Sequence, residues 1–286
     1  MFADRVILAS RRTGVPVELS IYGVALSSPW QTCGVDWSAL PALDGLIVTG
    51  SHPKRLDVGQ EPAVPVVEEI IGAAGDDVPV MFSCQSAHIA LSLLHGIRRV
   101  RLPRKRHGVF EHQNTAPGHP LGLALPARAP VPHSRWNAVP ATGLERAGLR
   151  VVLGGPGDDW HLATSPDGLD RVFLQGHCEY PADMLLREYR RDVRRHLQDA
   201  DALVEVPENY FHAESERRLR SRPPQHARPA EAEAVFGQLD GEIGTLGPRS
   251  PWDAAADTFF ADWTRMLAAR IAARADADLG TSGTLK

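Results

Sequence analysis

The stretch VPVMFSCQSAHIALSLLHG, residues 78–96, decides how the rest of the chain is read. Residues 78–83 form a short apolar run, suited to a strand buried on both faces. From residue 85 the apolar positions fall at helical spacing. Gly96 stands just past the last of them, where helices commonly end. The chain therefore turns from strand to helix at Ser83-Cys84. A cysteine at such a turn has two readings. It can be a small buried filler. It can also be a nucleophile, because a helix N-terminus stabilises a thiolate and its free N–H groups can hold an oxyanion. Position alone leaves the two readings level.

Working outward, FADRVILASRRTG reads as a short helix closed by Gly14, and PVELSIYGV (16–24) alternates like a strand. DGLIVTG (44–50) reads as a buried parallel strand running into a loop. In PAVPVVEEIIGAAG (62–75), Val66, Val67, Ile70, Ile71 and Ala74 recur at helical spacing. This alternation predicts an α/β fold with an open, mostly parallel, doubly wound sheet. Ligands of such sheets bind at the carboxyl ends of strands, where Gly50 and Cys84 both lie. Residues 97–150, with many Pro, His and Arg, read mainly as loop. LRVVLGG, WHLATSPDG and LDRVFLQGH read as strands, with SPDG as a turn. Pro181 opens a helix over 181–199 at the favoured first-turn position. The Pro- and Arg-rich segment 219–232 reads as a mobile surface loop. Ser250-Pro251 opens an amphipathic helix over 251–274, with Phe259, Phe260, Trp263 and Met266 on or near one face. DLGTSGTLK at the end reads as frayed.

Composition narrows the function classes. The 286 residues are 43% hydrophobic, enough for a sizeable core. A net charge of −4 gives no basic field for nucleic acid. No apolar run approaches the ~20 residues that span a bilayer. The N-terminus lacks the long apolar region of a signal peptide, so a cytoplasmic protein is expected. Cys33, Cys84 and Cys178 are odd in number and form no C-x-x-C pair. Neither a disulfide framework nor a zinc site is expected, and any cysteine chemistry belongs to one thiolate.

A nucleophilic cysteine needs a base and something to orient the base. His88 lies one helical turn beyond Cys84 but points along the helix. GHCEY (176–180) is the better source. In an extended segment residues i and i+2 share a face, so His177 and Glu179 point together and Cys178 points away. A carboxylate beside an imidazole fixes its tautomer and favours its charged form. Cys84, His177 and Glu179 would then form a triad from two strand ends. On the following helix Glu188, Arg191 and Asp192 share a face at i, i+3 and i+4. They suit a solvated ion-paired face. They equally suit a site for a zwitterion, with Arg191 on a carboxylate and Glu188 on an ammonium.

DGLIVTG, the elbow 84–97 ending in HGI, HGVFEH (107–112), PHSRW (132–136), GHCEYPADMLLREYRRDV (176–193), VPENYF (206–211) and FFADW (259–263) occur in that order. In this the chain resembles the homoserine O-acyltransferases of methionine biosynthesis, over roughly residues 15–270. The resemblance implies a class I glutamine-amidotransferase-like, flavodoxin-like fold with a helical C-terminal extension. It implies ping-pong chemistry: Cys84 takes an acyl group from acyl-CoA, and His177, oriented by Glu179, deprotonates the hydroxyl of L-homoserine. Backbone N–H groups of Gln85 and Ser51 would hold the oxyanion. Lys105, Ser134, Tyr180, Glu188 and Arg191 match the family's substrate-binding positions.

Three departures stand beside the resemblance. The family has a strand before the first helix, so an N-terminal strand is expected to be missing here. The family's elbow reads Cys-Trp-small, against Cys84-Gln85-Ser86. Its His-Pro-Glu reads His177-Cys178-Glu179. Lys54 or Arg55 would favour a succinyl carboxylate over an acetyl group. The altered elbow leaves serine, or a related hydroxy amino acid, as another acceptor. A cysteine hydrolase or glutaminase, and a non-catalytic binding protein, are the competing classes. The remaining expectations are a single domain over 1–275, a flexible tail over 276–286 and a homodimer. Acyl-CoA is expected as co-substrate, with no tightly bound cofactor and no metal.

Overall fold

A computed structural model of the protein describes residues 1–23, 37–52, 55–199, 203–221, 231–244 and 249–282. The chain opens with α1 (Phe2–Thr13), then β1 (Leu46–Val48), α2 (Val64–Ala74), β2 (Val80–Ser83) and α3 (Gln85–His95). β3 (Val100–Asn114) and β4 (Arg128–Ala138) are long. After the short α4 (Ala141–Arg146) come β5 (Arg150–Gly154), β6 (Trp160–Thr164) and β7 (Arg171–Leu174). α5 (Met184–Gln198), α6 (Ala213–Ser221), α7 (Ala232–Gly244) and α8 (Asp253–Ser282) complete it.

The strands form one sheet in the order β1-β2-β7-β6-β5-β3-β4. β1, β2 and β7 run parallel, and they are the part of the sheet that carries the elbow. The pairings from β7 outward to β4 are antiparallel. Period-two alternation sends side chains to two cores. Met81, Leu162, Val172 and Leu174 face a core shared with α1 and α8. Val80, Phe82, Ala163 and Phe173 face a second core under α2, α3 and α4. Burial of each large side chain contributes about 1.5–3 kcal/mol, so the apolar run of β2 belongs in a strand covered on both faces. A third core forms around α5, α7 and Trp252, with Tyr210 and Phe211 of the VPENYF segment inside it.

The structure corrects five expectations. Residues 14–23 carry no strand, and residue 24 lies outside the described residues. An alternating segment is stable as a strand only in a ladder, and β1 pairs on one side only among the described residues. A cleft of about 910 Å³ runs along that open side, lined by Phe2, Val6, Ile47, Trp263 and Leu267 among others. The second correction concerns residues 97–150, read as mainly loop, which contain the β3–β4 ribbon. Its prolines explain the misreading. In an antiparallel strand the N and C=O of one residue point to the same side. The Pro132 carbonyl points away from β3 and accepts the His177 N–H at 2.8 Å. Pro130, two residues earlier, shares that orientation, so neither ring removes a bond from the β3 ladder.

The other corrections are smaller. α5 begins at Met184 rather than 181, with Pro181 accepting the Met184 N–H from one turn before. Residues 219–221 close α6, while 222–230 lie outside the described residues. α8 starts at Asp253, whose N–H is held by the Ser250 carbonyl, and continues through Ser282 into the expected tail.

Candidate active site

The elbow is held by short bonds. Cys84 has φ 58° and ψ −117°, a conformation that costs a non-glycine residue about 1–3 kcal/mol. Its N–H donates to the Leu174 carbonyl of β7 at 2.7 Å. Ser86 Oγ donates to the Val48 carbonyl at 2.6 Å and accepts the Ser83 N–H at 2.9 Å, tying the elbow to β1. These bonds over-determine the turn and hold the thiol, itself only partly buried, at the sheet's carboxyl edge. The loop after β1 comes in beside it. A β-carbon at Gly50 would stand 2.7 Å from the Gln85 nitrogen, so only glycine permits this approach. Ser51 Oγ donates to the Gln85 side-chain oxygen at 2.9 Å. The two residues expected to supply oxyanion donors are thus linked through the side chain that replaces the family's tryptophan.

His177 and Glu179 come together as expected, by a different local geometry. Residues 177–180 form a turn, with the Tyr180 N–H on the His177 carbonyl, rather than an extended strand. His177 Nδ1 donates to Glu179 Oε1 at 2.8 Å. This leaves Nε2 unengaged by Glu179, and Cys84 is close enough to act on the ring's titration. Burial alone would lower the His177 pKa. The negative charges of Cys84 and Glu179 outweigh it and hold the imidazole well above its ordinary value. Cys178 faces the α8 core, where burial pushes its thiol well up, followed by the charge of Glu179.

Behind this corner lies a buried polar layer that sequence reading did not find. His133 stacks on His112 at 5.0 Å, with His161 edge-on to both. Arg135 donates to Asp159 at 2.5 Å and to His133 Nδ1 at 3.2 Å. Gln175, two residues before His177, accepts the Val139 N–H and donates to Asp159 and the Trp160 carbonyl. His88 donates to the same Gln175 oxygen at 3.2 Å. Burial, then the charges of Arg135 and Arg99, lowers its pKa to about 3. His88 is therefore a neutral structural partner, not a base.

The substrate-binding candidates gather on the other side of His177. Tyr180 stacks on the His177 ring at 4.2 Å and donates its hydroxyl to Glu188 Oε1 at 3.1 Å. Lys105 of β3 is buried, with its ammonium 2.6 Å from Asp192 Oδ2. Arg191 grips the other Asp192 oxygen through Nε and one terminal nitrogen. Ser134 sits on β4 directly opposite His107 in the ladder. His52, beyond Ser51, feels the same cations: burial, then Arg191, Arg195 and Lys105, lowers its pKa.

Asp192 was read only as part of a charged helix face, yet it is the hub joining Lys105 to Arg191. His107 was quoted within a motif and given no role. Both were hidden because their partners come from distant segments. Lys54 and Cys33 lie outside the described residues. Arg55 is exposed, and its backbone is tied to Glu61 and Arg99. Among the described residues no group of three or more His, Cys, Asp or Glu is placed to hold a metal ion. None of the described helices is long and apolar enough to cross a membrane.

The α/β sheet thus carries at its carboxyl edge a partly exposed thiol on a strained elbow, beside an imidazole–carboxylate pair. The chain belongs to the homoserine O-succinyltransferase family, whose model matches residues 39–272. It is 38% identical over 232 residues to a homoserine O-succinyltransferase of Methylorubrum extorquens, covering 80% of this chain and 70% of that protein. It is 35% identical over 228 residues to one of Cardiobacterium hominis, covering 79% of this chain. The chain spans 63% of the length of that relative and 53% of one from Methylobacter tundripaludum. Among solved structures, a glutamine amidotransferase from Methylobacillus flagellatus is similar at 16% identity and TM-score 0.48, covering 79% of this chain and 78% of that one.

Proposed function

We propose that the protein is an acyl-CoA-dependent homoserine O-acyltransferase of methionine biosynthesis, with succinyl-CoA as donor. The Cys84 thiolate attacks the thioester carbonyl of the donor, with the oxyanion held by the Gln85 and Ser51 N–H groups. The carbon–sulfur bond to CoA breaks, and the CoA thiolate leaves with a proton from His177. The hydroxyl of L-homoserine then attacks the Cys84 thioester while His177 Nε2 takes its proton. Cys84 leaves as thiolate, and the O-acyl amino acid is released. Glu179 keeps the imidazole in the tautomer this requires and stabilises its charged form.

One observation carries the reading: Tyr180 lies between the two halves, stacked on His177 and bonded to Glu188. Groups suited to an amino acid's carboxylate and ammonium therefore lie beside the base that would deprotonate its hydroxyl. A hydrolase whose substrate is not an amino acid needs no such set. Succinyl as the acyl group rests on the names of the relatives.

Incubation with succinyl-CoA or acetyl-CoA, read by intact mass, tests the proposal. The expected result is one succinyl group added at Cys84 and discharged by L-homoserine. No adduct with either donor sinks the acyltransferase reading. Discharge by water as fast as by L-homoserine or serine supports a hydrolase instead.

A further inference from the structure

His107 lies on β3 within the same group of residues, and its side chain is fully buried. Neither ring nitrogen has a hydrogen-bond partner among the described residues. Its Nδ1 lies 4.0 Å from Glu188 Oε2, a buried carboxylate oxygen equally without a partner. The other Glu188 oxygen is taken by Tyr180. A buried polar atom left unbonded costs about 1–3 kcal/mol. Here two such atoms face each other, and both are acceptors when the imidazole is neutral with its proton on Nε2. Two acceptors bound to one ammonium at about 2.9 Å stand roughly 4–5 Å apart, which is the separation observed.

We propose that His107 Nδ1 and Glu188 Oε2 together accept hydrogen bonds from the α-ammonium of the acceptor amino acid, making His107 a specificity-determining residue. This deepens the acyltransferase reading and rests on it. The environment keeps the ring neutral. Burial, then the charges of Lys105 and Arg191, holds the His107 pKa well below 6.5. A neutral imidazole accepts from an ammonium where an imidazolium would repel it. Glu188 supplies the opposite charge, and Lys105 and Arg191, both paired with Asp192, are the nearby cations suited to the carboxylate. Ser134, across the ladder from His107, keeps the second strand within reach of the same ligand.

The test compares L-homoserine with 4-hydroxybutanoate, which lacks only the amine, as acceptors for the succinyl-enzyme. His107→Phe removes both nitrogens and keeps a flat ring. Its kcat/KM for L-homoserine is expected to fall about 10- to 100-fold through KM. Acyl-enzyme formation and kcat/KM for 4-hydroxybutanoate should not change. His107→Asn, which returns an acceptor near the Nδ1 position, is expected to restore part of the loss. It also serves where the phenyl ring is not accommodated. An equal loss on both acceptors, or none on L-homoserine, overturns the assignment. Absence of acyl-enzyme in the wild type counts against the acyltransferase reading alone. His107 is then judged by calorimetric titration with L-homoserine. At least tenfold weaker binding in the variant supports the assignment, and equal or absent binding in the wild type and variant overturns it.

Discussion

The elbow corner and the face beyond Tyr180 meet at one imidazole but are built in opposite ways. At the corner, His177 bonds Glu179 through Nδ1 and is held charged by Cys84 and Glu179, and Ser83, Ser86 and Leu174 fix the turn from both sides. Across Tyr180, Asp192 pairs with both Lys105 and Arg191, while His107 and one oxygen of Glu188 face each other without hydrogen-bond partners among the described residues. The corner's imidazole is tied to Glu179, with only Glu179 Oε2 and Ser83 Oγ left unpaired there among the described residues, whereas the proposed ligand, carrying both signs of charge, would complete the face. Under the proposed function, reactivity would be preorganised and selectivity would reside in the unpaired groups. Changes at the corner should abolish chemistry with every acceptor. Changes on the face should alter which acceptor is used.

The largest effect is expected at Cys84. Cys84→Ala should lower CoA release by on the order of 10⁴ or more with either donor, measured with a thiol reagent on the freed CoA. Activity within tenfold of wild type would remove the thiol from the mechanism. Gly176→Ala comes next. The added β-carbon would lie 2.7 Å from Val131 Cγ1 and 2.8 Å from His133 Cε1, both in the packed layer under the turn. That layer cannot give way, so the turn carrying His177 moves instead. A displacement near 1 Å costs about 10²-fold in rate, and single-turnover acylation should show it with circular dichroism unchanged. Lys105→Met probes the face. Acylation should proceed normally while KM for the acceptor rises about tenfold. A fall in acylation rate would mean that the two regions are not separable.

How much of this contrast could be read in the sequence follows from distance along the chain. The elbow was legible because strand, turn and helix cap are consecutive, and the spacing of His177 and Glu179 suggested their pairing. The reason given for that pairing was not the one observed: a turn, not an extended strand, brings the side chains together. The prolines argued against a strand, although prolines two apart also suit an outer strand, where every second backbone N faces away from the one neighbour. Residues 16–23 show the reverse failure, a periodic segment whose ladder partner no local pattern can supply. His107, Asp192 and the His112–His133–His161 layer take their roles from contacts between β3, β4, β6 and α5. Periodicity assigns a side chain to a face of its own element but cannot say what stands opposite.

The smallest effect expected at neutral pH concerns the buried layer on which the corner rests, and it sharpens the comparison from below. His88 and His112 are lowered to about 3 and about 4, both chiefly by burial. His107, His133 and His161 are held well below 6.5, again chiefly by burial. Each is neutral in the folded state and takes a proton near 6.5 once unfolded. Below 6.5 the unfolded chain therefore binds more protons, and stability falls as pH falls. Every such imidazole adds up to about 1.4 kcal/mol per pH unit to the slope. His177 acts in the opposite sense. Its contribution is fully present below 6.5 and is lost as pH rises through its raised value, so it does not mask the acid loss. Urea unfolding between pH 7.5 and pH 5 should show stability falling steeply on the acid side. His88→Gln should flatten the slope by about one proton. A pH-independent urea midpoint across that range would mean that these rings take up protons in the folded protein as readily as in the unfolded chain. The layer would then be a buried positive charge under the triad, and the neutral form required of His107 would lose its physical basis.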